Sequence, residues 1–226
     1  KLNCFSVING EKIWDFQTDN DLIKSQRKLS IVYDNQKIYF NNTRGDIYSL
    51  DKYDGSLIWL TTTREDSESL QSFLLKTSKL VLDENKLFFS NNKNNFFSLD
   101  SNTGIIEWIK NINSDLKPII SENIIFLISS EGYLFILEKE TGKLIRITNL
   151  YKDIKSKKLK KASISGFAVS LKKIYISLNN GKILEVDIDK GKVSSILKIS
   201  KGKISEPFIN DGQIFIVKNN EIIKLN

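Results

Sequence analysis

The strongest constraint on this chain is a short unit that it writes repeatedly. In Ile47-Tyr48-Ser49-Leu50-Asp51 an apolar/polar alternation reads as a strand. Asp54-Gly55 supplies a turn that tolerates positive φ, and Ser56-Leu57-Ile58-Trp59 leaves it as a strand ending in a large aromatic. The pattern returns as Phe96–Asp100 before Thr103-Gly104 and Trp108, and as Leu134–Glu138 before Thr141-Gly142 and Arg146. It returns again as Ile183–Asp187 before Lys190-Gly191, and it opens the chain as Cys4–Val7 before Asn9-Gly10 and Trp14. The marker glycines Gly10, Gly55, Gly104, Gly142 and Gly191 lie 45, 49, 38 and 49 residues apart by subtraction.

A regular spacing of this size signals a repeat architecture, and four short strands with their turns fill about 40–50 residues, the size of a propeller blade. The expected fold is therefore all-β, a β-propeller of four-stranded antiparallel blades. Strands are expected at Asn3–Ile8 and Lys12–Gln17; at Leu29–Tyr33, Lys37–Asn41, Asp46–Asp51 and Leu57–Thr62; and at Lys79–Leu82, Lys86–Ser90, Asn95–Asp100 and Ile105–Lys110. They continue at Lys117–Ser121, Ile124–Ile128, Tyr133–Glu138 and Lys143–Thr148, then Gly166–Leu171, Lys173–Ser177, Lys182–Asp187 and Lys192–Ile199. Ser205–Ile209, Gln213–Lys218 and Glu221–Leu225 end the series. The second strand of each unit is apolar on both sides, as in Leu87-Phe88-Phe89 and Ile124–Ile128. Such a strand is covered on both faces, which stacked blades provide. Pro118 and Pro207 stand at the start of first strands, where proline is tolerated.

Two leading strands, sixteen in full units and three trailing give 21, five blades and one strand over. Either the trailing strands recruit Lys12–Gln17, or the chain is part of a larger ring; the second is the favoured expectation. No linker interrupts the repeat, so residues 1–226 are expected to form a single propeller domain that begins and ends within a blade. Links between successive units vary in length and include Asp19–Lys28, Thr63–Ser78 and Asn149–Ser165. They share one face with the turns between second and third strands, and that face is the expected partner surface, because loops carry function more often than scaffold.

Composition removes much chemistry. The chain has no histidine, hence no His-assisted nucleophile, and one cysteine, hence no intrachain disulfide. No apolar run reaches the roughly 18–20 residues that span a bilayer. No signal-peptide pattern opens the sequence, which reads as a mature or truncated product. Net charge is +7, and residues 150–203 hold fourteen lysines against four acids, a local +10. The densest part is Lys152–Lys161, a candidate for an anionic surface or acidic partner. Only Tyr151 offers an aromatic nearby, so nucleic acid is not expected. Asp51, Asp54, Asp100, Glu138, Asp187 and Asp189 fall in the repeat's own turns, where capping is their expected role.

The Leu-Asp pair, Thr-Gly turn and tryptophan four residues after the glycine resemble the pyrroloquinoline-quinone-type β-propeller repeats. Leu99-Asp100, Thr103-Gly104 and Trp108 match fully, and Gly10 with Trp14 and Gly55 with Trp59 match in part. The later units depart, with Arg146 after Gly142 and Ser195 after Gly191. The resemblance implies that Trp14, Trp59 and Trp108 pack between blades. Among non-enzyme members the chain is most similar to the propeller lipoprotein of the bacterial outer-membrane β-barrel assembly machinery. That likeness implies a non-catalytic scaffold at the periplasmic face of the outer membrane. Such a scaffold docks the barrel-forming subunit through loops on one face, with a lipid anchor in the parent chain and without cofactor, metal, catalytic residue or small-molecule substrate. The alternatives are a fragment of a quinone-dependent dehydrogenase and a generic interaction propeller. The dehydrogenases hold their quinone with Ca²⁺ and an adjacent-cysteine disulfide, which the lone Cys4 cannot form. Cys4 aligns with a strand position and lacks the small residues that precede a lipidated cysteine, so it is expected to be a structural thiol.

Overall fold

The computed structural model describes residues 1–18, 30–42, 45–63, 77–91 and 93–225. Most of the links Asp19–Lys28 and Thr63–Ser78, and Asn92 of one expected turn, lie outside the described residues. The chain forms two compact units, Lys1–Asp115 and Leu116–Asn226.

In the first unit, β1 (Leu2–Phe5) pairs with β2 (Lys12–Phe16). A four-stranded antiparallel blade follows, β3 (Ile31–Tyr33), β4 (Lys37–Asn41), β5 (Ile47–Asp51) and β6 (Leu57–Thr61), in sequence order across the sheet. A second blade repeats it with β7 (Val81–Asp83), β8 (Lys86–Ser90), β9 (Phe96–Asp100) and β10 (Ile106–Lys110). The second unit holds the blade β11 (Ile119–Ser121), β12 (Ile124–Ile128), β13 (Tyr133–Glu138) and β14 (Leu144–Asn149). Next comes β15 (Ile164–Val169), β16 (Lys173–Leu178), β17 (Lys182–Asp187) and β18 (Lys192–Lys198), and last the three-stranded sheet β19 (Phe208–Asn210), β20 (Gln213–Lys218) and β21 (Glu221–Leu225). A single helical turn, α1 (Lys157–Lys160), sits in the link between β14 and β15.

Every expected strand is present, with shifted ends where local chemistry intervenes. β1 stops at Phe5 rather than Ile8, because Ser6 opens the turn closed by Gly10 N–H on the Ser6 carbonyl, 2.9 Å. β19 begins at Phe208 rather than Ser205. Ser205 already exchanges hydrogen bonds with Val217, but Pro207 has no N–H to extend the ladder.

The repeated turn spans five residues. Gly55, Gly104, Gly142 and Gly191 each donate their N–H to the carbonyl four residues back, on Asp51, Asp100, Glu138 and Asp187, at 2.8–3.0 Å. Their φ values of +75°, +74°, +63° and +60° suit glycine. The turn's first acid caps it: Asp100 Oδ1 accepts from the Asn102 and Thr103 N–H groups at 2.9 and 2.8 Å, and Asp51 Oδ1 accepts from the Tyr53 N–H at 2.7 Å. A register shift follows in the outgoing hairpin, between Ser49 and Leu50 and again between Ile136 and Leu137.

Second and third strands carry the core. β8 buries Leu87, Phe88 and Phe89, and β9 buries Phe96, Phe97 and Leu99. In the first unit, Tyr39 and Ile47 of one blade meet Leu87, Phe89, Phe97 and Leu99 of the next. In the second unit, Phe126, Ile128, Leu134 and Ile136 meet Phe167, Ile174, Ile176, Leu178 and Leu184. Each fully buried side chain of this kind contributes about 1.5–3 kcal/mol, so the fold rests on these face-to-face seams.

Candidate interaction surface

The seams are built from the repeat positions. The Trp14 indole N–H donates to the Lys52 carbonyl at 3.1 Å, and its ring covers Gly55, where a Cβ would come within 2.6 Å of ring carbons. One blade on, the Trp59 indole donates to the Ser101 carbonyl at 3.1 Å and covers Gly104 at the same 2.6 Å, while Thr61 Oγ1 donates to the Gly104 carbonyl at 2.6 Å. Lys52 and Ser101 each follow the capping aspartate of a turn. Glycine is required beneath each ring both for its φ and for the space.

In the second unit the same place is taken by Arg146. Its Nη1 donates to the carbonyls of Ile188 and Asp189, the latter at 3.0 Å. Ile188 follows Asp187 as Lys52 follows Asp51. Beneath lies Gly191, whose Cβ would come 3.2 Å from Arg146 Cδ and 3.1 Å from Thr148 Oγ1, the counterpart of Thr61. Arg146 departs from the aromatic pattern in sequence but keeps the donor. Long apolar stem plus terminal N–H was the available signal. Of the other repeat positions, Trp108 lies 5.5 Å from the Phe96 ring and 6.0 Å from Phe88, Gly142 closes its turn, and among the described residues nothing beyond its chain neighbours lies within 4 Å of a Cβ built at Gly10. Ser195 sits opposite Glu185 in β18.

Among the described residues, the fourth strands expose apolar side chains. Leu57, Ile58 and Leu60 of β6 and Ile109 of β10 are exposed in the first unit, and Leu144, Ile145 and Ile147 of β14 in the second. The β14–β15 link is a folded segment. Leu150, Ile154 and Leu159 are buried in the core of the second unit. The Tyr151 ring lies on Gly132, and its hydroxyl donates to the Ala162 carbonyl at 3.4 Å, joining the segment's two ends. Ser156 Oγ caps the single turn of α1. Lys152, Lys155, Lys157, Lys158, Lys160 and Lys161 all point outward. The unit also holds two clefts, one of about 550 Å³ walled by Leu116, Ile119, Phe167, Val169 and Phe208, the other of about 350 Å³ between β14 and the start of β18.

Of the perturbed carboxyls, Asp34 and Asp100 serve turns, whereas Asp15 and Glu185, on strands, pair with lysines. Burial raises the Asp34 carboxyl, but N–H donation from Gln36 and Lys37 and the Tyr39 hydroxyl outweighs it, and the net shift is downward. Asp100 is likewise raised by burial and lowered further by the Thr103 and Asn102 donors. Burial, then the Asp34 carboxylate, pushes the Tyr39 phenol up. Lys1 and Lys12 hold Asp15 down at about 2. Cys4 is a half-buried free thiol opposite Trp14. Among the described residues no three His, Cys, Asp or Glu side chains converge as metal ligands would.

A family model described as outer membrane protein assembly factor BamB matches residues 2–148. The chain belongs to the BamB family. The matched residues contain all three tryptophans and end just past Arg146. No curated protein matches the chain. Among solved structures, BamB from Moraxella catarrhalis superposes with a TM-score of 0.77 at 13% identity, covering 97% of this chain and 64% of that one. The computationally designed Ika8 protein gives 0.72 at 13%, covering 98% and 63%. The Cps50 (Swd1) β-propeller domain of Myceliophteria thermophila gives 0.62 at 9%, covering 84% and 65%. The fold is thus a β-propeller, and the chain spans just under two thirds of the length of these structures.

Proposed function

We propose that the chain is a non-catalytic scaffold, a single propeller domain acting as a subunit of the outer-membrane protein assembly complex at the periplasmic face of the outer membrane, anchored as a lipoprotein in its parent chain. The observation that carries this reading is the division of labour in the molecule. Trp14, Trp59 and Arg146 are committed to seams and Asp51 and Asp100 to caps, while among the described residues β6, β10 and β14 expose apolar side chains and the β14–β15 link exposes lysines. Membership of the BamB family supports the partner assignment. Rigid blades present links to the barrel-forming subunit, and exposed strand edges accept an extended segment of a client by strand addition. A second contact, to an anionic surface, runs through residues 152–161.

Calorimetric titration of the chain with the periplasmic part of a barrel-forming subunit tests the docking. Saturable binding in equal proportion is expected. Absence of heat, joined to saturable binding of the quinone with Ca²⁺, would replace the scaffold by the dehydrogenase.

A further inference from the structure

The folded β14–β15 link holds six lysines on apolar anchors, and we propose that it is a membrane-facing platform that adsorbs to the anionic phospholipid headgroups of a bilayer surface. This deepens the membrane-face reading above and rests on it.

Four features carry the inference. First, the segment is built. Leu150, Ile154 and Leu159 are buried, the Leu150 N–H donates to the Gly132 carbonyl at 3.0 Å, and Tyr151 spans from Gly132 to Ala162. The lysines are therefore presented by an ordered backbone, and little further ordering opposes binding. Second, the charge is unpaired. Lys152, Lys155, Lys157, Lys158, Lys160 and Lys161 are exposed, and among the described residues none pairs with a carboxylate.

Third, the charge extends to neighbouring loops tied to the segment. The Asn179 N–H donates to the Ser163 carbonyl at 2.9 Å, and the Ile199 N–H to the Gly181 carbonyl at 2.9 Å. Those loops bring Lys182 directly opposite Lys198, an unfavourable cross-strand pair of like charges, with exposed Lys201 and Lys203 following. Asp153, Glu131 and Glu206 are the acids of these loops. A nearby anionic surface relieves the excess.

Fourth, the kind of cation and the shape select the partner. All of these cations are lysines, which act as point charges; arginine supplies the planar fork that reads a particular carboxylate or phosphate. Lys152 lines the smaller of the unit's two clefts, and Lys155, Lys157, Lys158, Lys160 and Lys161 line neither, so most of the charge stands on the exposed face of the link. The Tyr151 ring is committed to Gly132 and is not offered to a base. A fluid, charged surface is the partner that needs neither groove nor fixed geometry.

The test is co-sedimentation of the whole chain with vesicles of phosphatidylcholine alone, or containing about one third phosphatidylglycerol. Binding is expected only with the anionic lipid, and it is expected to collapse as salt rises from about 0.1 to about 1 M, where the screening length falls from about 10 to about 3 Å. Each lysine is worth about fivefold, so Lys157→Gln, Lys158→Gln and Lys160→Gln together lower partitioning about a hundredfold. The same charge change at Lys143, Lys172 and Lys224 leaves it within about threefold, and circular dichroism checks that both variants fold. Equal binding to neutral vesicles, or equal loss from both triple variants, overturns the proposal. So does lysine-dependent binding of polyglutamate without binding to vesicles, which makes the partner an acidic protein. The vesicles contain no protein, so a negative result leaves docking to the barrel-forming subunit standing, and failed docking leaves the lipid result standing.

Discussion

The two compact units solve one packing problem with different side chains. In the first, indoles close the seams and the core beside them is aromatic, with Phe89 stacked on Phe97 at 4.8 Å and Phe40 on Tyr48 at 5.1 Å. In the second, Arg146 closes the seam and the core beside it is mostly Ile, Leu and Val. What is shared is the acceptor, the carbonyl after the turn's first acid, and the glycine beneath the donor. The backbone turn is therefore the fixed part of the repeat, and the side chain laid on it is replaceable so long as it brings an apolar stem and an N–H.

The largest expected difference between the units follows from truncating the donors. Trp59→Ala removes a half-buried indole and leaves the Ser101 carbonyl unpaired, at about 3–4 kcal/mol. All three tryptophans lie in the first unit, so fluorescence-detected urea unfolding reports there, and Trp14 and Trp108 remain as probes. Next come the glycines. Gly104→Ala sets a methyl 2.6 Å from the Trp59 ring at φ +74° and is expected to cost about 2–4 kcal/mol. Gly191→Ala meets flexible atoms at 3.1 and 3.2 Å and costs about 1–2 kcal/mol, mostly from φ +60°. Denaturation midpoints by circular dichroism separate the two. Arg146→Ala removes two hydrogen bonds to partly exposed carbonyls and costs about 1–2 kcal/mol, read by faster amide exchange in β14 and β18.

The smallest effect is that of pH. Asp34 and Asp100 have folded pKa values below their unfolded ones, so their contribution is complete above about pH 4 and is lost as pH falls through the folded values. Thermal unfolding of the wild type is expected to weaken below about pH 4. Asp34→Asn, which keeps one acceptor but not the charge, flattens that dependence.

Most of the fold was legible, because strand alternation, turn glycines and a regular period are local signals written several times over. Strand ends were legible only to within a few residues, since Ser6 and Pro207 act through individual hydrogen bonds. Three things were hidden. The role of Arg146 depends on a carbonyl 42 residues away. The five-residue span of the turn was not apparent, because only its glycine takes positive φ. The lysine link read as a charge-dense candidate contact, and nothing in it marked Leu150, Ile154 and Leu159 as anchors. Their burial depends on a core supplied by other blades. The exposed fourth strands and the β14–β15 link carry no motif of their own, since apolar area and charge, rather than a residue pattern, define them.

Substituting Arg146→Trp tests most directly whether both units use one seam. If the turn is the fixed part, an indole there covers Gly191, donates to the Ile188 carbonyl, and leaves the unfolding midpoint equal to or above that of the wild type. A midpoint as low as that of Arg146→Ala would mean that the second unit is held together by something peculiar to arginine, and that the two seams are not the same device.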